Sequence, residues 1–196
     1  MSLLNVNKVD PATGTALEIG TSGDTITVPS GATFNVAGTL QSGGAAVANS
    51  PVFAAKLSST QSVAYASWTK ILFATEVFDV GGDYDATNSK FVASAAGKYL
   101  FHYTCRMDVT ASSAQGNWIQ AGLYKNGSRE EQSVLVSAVS VNDALTQDVG
   151  VSGVFILDLS ASDYVEVYSR HVSDGGGAQN YDVLYQSFQG FKLIWV

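Results

Sequence analysis

The chain has 196 residues, of which 46% are hydrophobic and 14% charged, with a formal net charge of −7. So few charges beside nine Phe and nine Tyr exclude a disordered tail, which would carry more charge and fewer aromatics. The ten Lys and Arg stand singly rather than in a stripe, which argues against nucleic acid and anionic membrane as partners.

No run approaches the roughly 20 apolar residues that a membrane helix needs, so no membrane insertion is expected. The N-terminus, MSLLNVNKVDP, lacks the apolar region of a signal peptide. A single cysteine, Cys105, permits no disulfide within the chain. These features predict synthesis in a reducing cytoplasm.

Helical periodicity is nearly absent, and alternation dominates. Along the chain, residues 1–20 read as an arm. Residues 21–50 read as a shaft and neck. Here Ile26/Val28 and Phe34/Val36 sit between the turn clusters Ser22-Gly23-Asp24 and Pro29-Ser30-Gly31, with a beat of about eight residues. Two or three such strands bury no core alone. They can do so if identical chains wrap around one axis, so a short intertwined β shaft is expected, the other reading being an extended N-terminal arm. QSGGAAVANSP, residues 41–51, is a Gly/Ala-rich linker.

Residues 51–196 read as one β domain. In GKYLFHYTCRM, residues 97–107, Tyr99, Phe101, Tyr103, Cys105 and Met107 share one face, opposite Leu100, His102, Thr104 and Arg106. Asn126-Gly127 is a two-residue hairpin signal. VSGVFILDL, residues 151–159, is nearly apolar throughout and reads as a strand buried on both sides. The apolar C-terminal strand from Ser187 must pack centrally or at a subunit interface. Many short strands with regular turns indicate a sandwich, barrel or jelly roll.

Chemistry-bearing constellations are scarce. His102 and His171 both lie on strand-like segments and read as packed or surface imidazoles. Cys105 has no cationic neighbour to activate it. Gly150-Val151-Ser152-Gly153 lacks the spacing and the following helix of a nucleophile elbow. Asp79, Asp83 and Asp85 cluster as hard-cation ligands do, but read more simply as a turn. The reading is of no enzyme, no catalytic residue, no metal-binding residue and no cofactor. Recognition is expected instead from loops 108–118, 140–148 and 171–182. Their candidate contact residues are Gln115, Asn117, Trp118, Asn142, Asp174, Gln179, Asn180 and Tyr181, aromatic and amide-bearing groups suited to a host-surface glycan or protein.

Phe53, Ala55, Phe78, Gly81, Tyr84, Asp85, Phe91, Gly97, Tyr99 and Phe101 fall in a recognisable order. Asn126-Gly127, Leu159, Asp163 and Phe188-x-Gly190-Phe191-x-Leu193 continue it. Residues 52–196 thereby resemble the globular-head domain of the complement family, which shares its fold with tumour necrosis factor. Val80, Ala96 and Ser162 depart from the family's usual Asn, Pro and Gly. The resemblance implies an all-β, ten-stranded jelly-roll sandwich that forms a homotrimer, with a structural cation on the trimer axis as an option for which no ligand can be named. NVNKVDPATGTALEIGTSGDTITVPSGATFNVAGT resembles a module of tailed-phage structural proteins found in tail fibres and other virion appendages. Together the two imply a virion protein made in the host cytoplasm. It would be a trimeric fibre anchored to another virion protein, with a host-attachment head. The alternatives are a capsid or tail decoration or adaptor without receptor binding, and a glycan depolymerase, for which a shaft of about 50 residues leaves no room.

Overall fold

The computed structural model describes residues 19, 22–38, 41–42, 45–46, 51–110, 117–139, 146–173 and 176–193. The chain divides into two compact units, Met1–Val47 and Ala48–Val196.

In the first unit, β1 (Gln41–Ser42) pairs antiparallel with β2 (Ala45–Ala46). Turns form at Ser22-Gly23 and Ser30-Gly31, the second closed by the Ala32 N–H donating to the Pro29 carbonyl at 3.0 Å. The stretches between them carry no strand pairing. Ile26 and Phe34 are 64% and 68% exposed. The expected shaft strands are thus not paired within the one chain among these residues.

The second unit is built from β3 (Val52–Lys56), β4 (Gln61–Val63), β5 (Thr69–Lys70), β6 (Thr75–Val80), β7 (Tyr84–Asp85), β8 (Lys90–Val92) and β9 (Gly97–Thr110). After these come β10 (Asn117–Lys125), β11 (Ser128–Arg129), β12 (Leu135–Val139), β13 (Thr146–Leu159), β14 (Tyr164–Val172), β15 (Gln179–Tyr181) and β16 (Ser187–Lys192). Two single 3₁₀ turns, Glu131–Ser133 and Val183–Tyr185, are the only helical pieces among the described residues. The strands form two antiparallel sheets of seven. Sheet I runs β4-β15-β9-β16-β3-β6, with β13 along β9; sheet II runs β11-β10-β14-β8-β7, with β12 on β10 and β5 on β14. The strand count exceeds the expected ten because two-residue pairings such as β5, β7 and β11 leave little periodic signal.

The alternation in β9 decides the sandwich. Tyr99, Phe101, Tyr103, Cys105 and Met107 are fully buried between the sheets. Phe53 stacks on Tyr84 at 4.8 Å and Phe91 at 5.1 Å, and Phe188 meets Phe53 edge-on at 5.0 Å. Each fully buried Phe contributes roughly 2–3 kcal/mol, and each well-placed ring pair about 1 kcal/mol more. The Tyr103 hydroxyl reaches across the sandwich to the carbonyls of Ala121 at 2.8 Å and Ser133 at 2.7 Å. The apolar C-terminal strand β16 lies centrally in sheet I, between β9 and β3. Gly190 is required there. A Cβ at this position would stand 2.7 Å from both the Leu100 carbonyl oxygen and the Phe101 ring. The Asn126-Gly127 hairpin closes β10 onto β11 with φ of 51° and 79°, the left-handed pair that such a turn demands.

Candidate functional site

The predicted contact residues do not share one surface. Gln115, Asn142 and Asp174 lie outside the described residues. Asn117 opens β10 and is fully buried. Tyr181 closes β15 in the core. Its hydroxyl sits 2.8 Å from Ser169 Oγ, and burial pushes its pKa well above the ordinary phenol range. Both are buried residues at strand ends rather than exposed loop tips, because β10 and β15 extend into stretches whose composition suggests turns. Trp118 is half-buried, and the Arg170 guanidinium lies 5.3 Å from its ring centroid. Gln179 donates to Ser173 Oγ at 3.1 Å. Asn180 is exposed and pairs with Ser62 on β4 and Asp108 on β9.

Cys105 and His171 are sequestered in the core, whereas His102 and Ser152 lie on the outward face of sheet I. Burial pushes the Cys105 thiol far above its ordinary value and keeps it protonated. His171 is fully buried, with Nε2 3.0 Å from the Val63 carbonyl, and burial holds its pKa below the ordinary imidazole value. The three aspartates around Gly81-Gly82 serve separate turns. Asp79 accepts from the Tyr84 N–H, Asp83 from Ser94 Oγ, and Asp85 from both the backbone and the side chain of Asn88. Among the described residues no group of His, Cys, Asp and Glu is arranged to hold a metal ion.

What the sandwich presents outward is more informative. On sheet II, the face turned away from the core carries Trp118, Gln120 and Tyr124 of β10 and Glu166, Tyr168 and Arg170 of β14. Tyr124 stacks on Tyr168 at 4.0 Å and leans against Trp68 at 6.1 Å. Arg129 covers Trp68 at 5.2 Å, and Lys90 covers Tyr164 at 5.0 Å.

Sheet I is different, and its cross-strand register sorts the outward residues into rows. One row is Ile156–Leu100–Phe191–Val52–Val80, apolar from edge to edge. The next is Val154–His102–Gln189–Ala54–Phe78, and the third is Ser152–Thr104–Ser187–Lys56–Thr75. Val154, Ile156, Phe78 and Val80 are 58%, 56%, 46% and 54% exposed. The expectation that 151–159 is buried on both sides therefore fails within one chain: only alternate residues of β13 face the core. A shallow depression of about 140 Å³ between Val52, Phe78, Leu100, His102 and Phe191 lies in this face. Ion pairs close it at both ends, Lys98–Asp158 at 3.0 Å and Arg106–Asp148.

A family model described as the C1q domain matches residues 52–193. No curated protein sequence matches the chain. Among solved structures, the chain is similar to the globular domain of zebrafish complement 1qA protein at 16% identity, covering 74% of this chain and 98% of that one, with a TM-score of 0.47. It is similar to murine APRIL at pH 5.0 at 15% identity, covering 73% and 98%, with a TM-score of 0.48. It is also similar to Eiger TNF from S. frugiperda at 14% identity, covering 74% and 94%, with a TM-score of 0.49. With the family match spanning most of the chain and a two-sheet antiparallel sandwich beneath it, this chain belongs to the C1q-domain family.

Proposed function

We propose that the protein is a non-enzymatic structural component of a bacteriophage virion, a homotrimeric fibre whose head contacts the host surface. C1q domains are commonly trimeric, and the observation that carries self-association here is the outward face of sheet I. Along β9 and β13 its apolar rows are flanked by the ion pairs Lys98–Asp158 and Arg106–Asp148, so the charges stand beside the apolar surface and not within it. Covering such a face with two further copies removes apolar area from water at about 25 cal/mol per Å². The exposed Ile26/Val28 and Phe34/Val36 pairs are accounted for in the same way, as shaft residues that need neighbouring chains. The phage-appendage resemblance of the N-terminal segment supports the virion context, with residues 1–20 anchoring to another virion protein. Three heads per fibre and several fibres per particle would turn weak contacts with a host glycan or protein into lasting attachment.

Light scattering of the purified native protein tests the assembly. Three chains of 20.6 kDa give 61.8 kDa, and a stable species near 20.6 kDa would remove the fibre reading. Adsorption competition tests attachment: purified protein should slow adsorption of the parent phage, and no slowing would leave a decoration or adaptor role.

A further inference from the structure

His102 stands at the centre of the outward face of sheet I, between the apolar row and the polar one. Both ring nitrogens are engaged. Gln189 Nε2 lies 3.0 Å from Nδ1, and Ser152 Oγ lies 2.9 Å from Nε2. Ser152 Oγ is in turn 3.2 Å from Thr104 Oγ1. With the amide nitrogen donating to Nδ1, the network assigns a neutral ring that carries its proton on Nε2 and gives it to Ser152. Val154, Leu100, Phe78 and Phe191 complete the surroundings.

We propose that His102 makes self-association through this face proton-sensitive, with the neutral imidazole packed between copies near neutral pH and protonation at mildly acidic pH opening the interface. The inference rests on the trimer reading above. The occupant is a second copy of the chain, because the face carries the unbroken apolar row Ile156–Leu100–Phe191–Val52–Val80 and C1q domains are commonly trimeric.

No counter-charge is positioned to accept an imidazolium. On β9 the charged groups of this face are Lys98, Arg106 and Asp108, and on β13 they are Asp148 and Asp158. β3 adds Lys56 and the edge strand β6 adds Glu76 and Asp79, while β16 supplies only Gln189, since Lys192 lies over the Tyr99 ring. Asp148 and Asp158 are tied to Arg106 and Lys98, and Asp108, which lies against Asp148 and Arg106, is six strand residues from His102, about 20 Å away. Each cation stands four strand residues from His102, about 13 Å away. Asp79 is held by the Tyr84 N–H. Turning the Gln189 amide around would offer an acceptor but no charge. Burial already holds the pKa of His102 below its ordinary value, and covering the face deepens that desolvation.

The sign follows. The assembled state excludes the proton that the dissociated state takes up, and the dissociated chain already holds His102 below the ordinary imidazole value of about 6.5, so assembly is unaffected at pH 6.5 and above and is lost as pH falls through that lowered value. With three such groups per trimer, the association constant should fall by up to roughly a thousandfold per pH unit in that range.

The full-length chain should be measured by light scattering at pH 7.5, 6.5 and 5.0 at one ionic strength, with circular dichroism as a check on the fold. The expected result is trimer mass at pH 7.5 and dissociation towards pH 5.0 with the strand signal retained. His102→Gln should stay trimeric throughout. A wild-type trimer unchanged at pH 5.0 overturns the inference while leaving the trimer intact. Dissociation of His102→Gln in the wild-type window also overturns it and assigns the effect to carboxylates. A monomer at pH 7.5 overturns the trimer reading itself.

Discussion

The two sheets solve the same inward problem and opposite outward ones. Both alternate along their long strands, and both send buried aromatics into a shared core. Outward, sheet II offers amphipathic rings already covered by cations: Arg129 over Trp68, Arg170 over Trp118 and Lys90 over Tyr164. Such a face satisfies itself in water, because the charged heads stay wet while their stems cover the rings. Sheet I keeps the ion pairs of β9 and β13 towards the strand ends and presents outward one row of Val, Ile, Leu and Phe, with Val154 and Phe78 at the two ends of the next. Alternation therefore says which residues leave the core, and only the chemistry of the outward set says whether water or protein receives them.

The largest expected effect lies where the sheets agree. Phe188 touches the rings of Phe53, Phe73, Tyr84 and Phe101 within 6.1 Å. Phe188→Ala should cost about 3–5 kcal/mol. With a urea m-value of roughly 1–3 kcal/mol per M, the unfolding midpoint should drop by more than 1 M. A shift below about 0.5 M, half of the smallest drop that cost implies, would mean that the inward face is not one core.

The next tests divide the outward faces. Ile156→Asp places three carboxylates in the covered face, at about 2 kcal/mol or more each. The mass should fall to that of one chain with the strand content unchanged by circular dichroism. The mirror substitution, Tyr168→Asp on sheet II, should leave the mass unaltered. If Tyr168→Asp dissociates the protein and Ile156→Asp does not, the two faces have been assigned the wrong way round.

Much of this was legible from residue order, for reasons specific to each stretch. β9 was readable because five successive alternate positions from Tyr99 to Met107 are apolar and none of the interleaved ones is aromatic. Asn126-Gly127 was readable because few dipeptides accept two left-handed residues. The apolar run 151–159 misled because Val154 and Ile156 are buried by nothing in their own chain, so composition suggested a two-sided burial that one chain does not provide. Asn117 and Tyr181 were read as loop tips because a short strand such as β15 is defined by its neighbour β4, not by its own composition. The His102 network was out of reach, since Ser152 and Gln189 lie 50 and 87 positions away. Only the register of three strands unites them.

The smallest expected effect sits at the turn carrying the chain from β13 in sheet I to β14 in sheet II. There Asp163 accepts from Asn126 Nδ2 and from the Ser160 N–H, each at 2.8 Å, and pairs with Lys125 at 3.1 Å. The Asn126 hydrogen bond first, then the Ser160 N–H and Lys125, lower its pKa to about 2. A carboxylate held below its unfolded value adds stability that is present above about pH 4 and disappears as pH falls through 2. The group is half-buried at the protein surface, where solvent still screens its contribution. Asp163→Asn should lower Tm at pH 7 by a few degrees at most, and the difference from wild type should vanish near pH 2. A difference that persists at pH 2 would mean that the shape of the turn, with Ser162 at φ 72°, and not the charge, joins the two sheets.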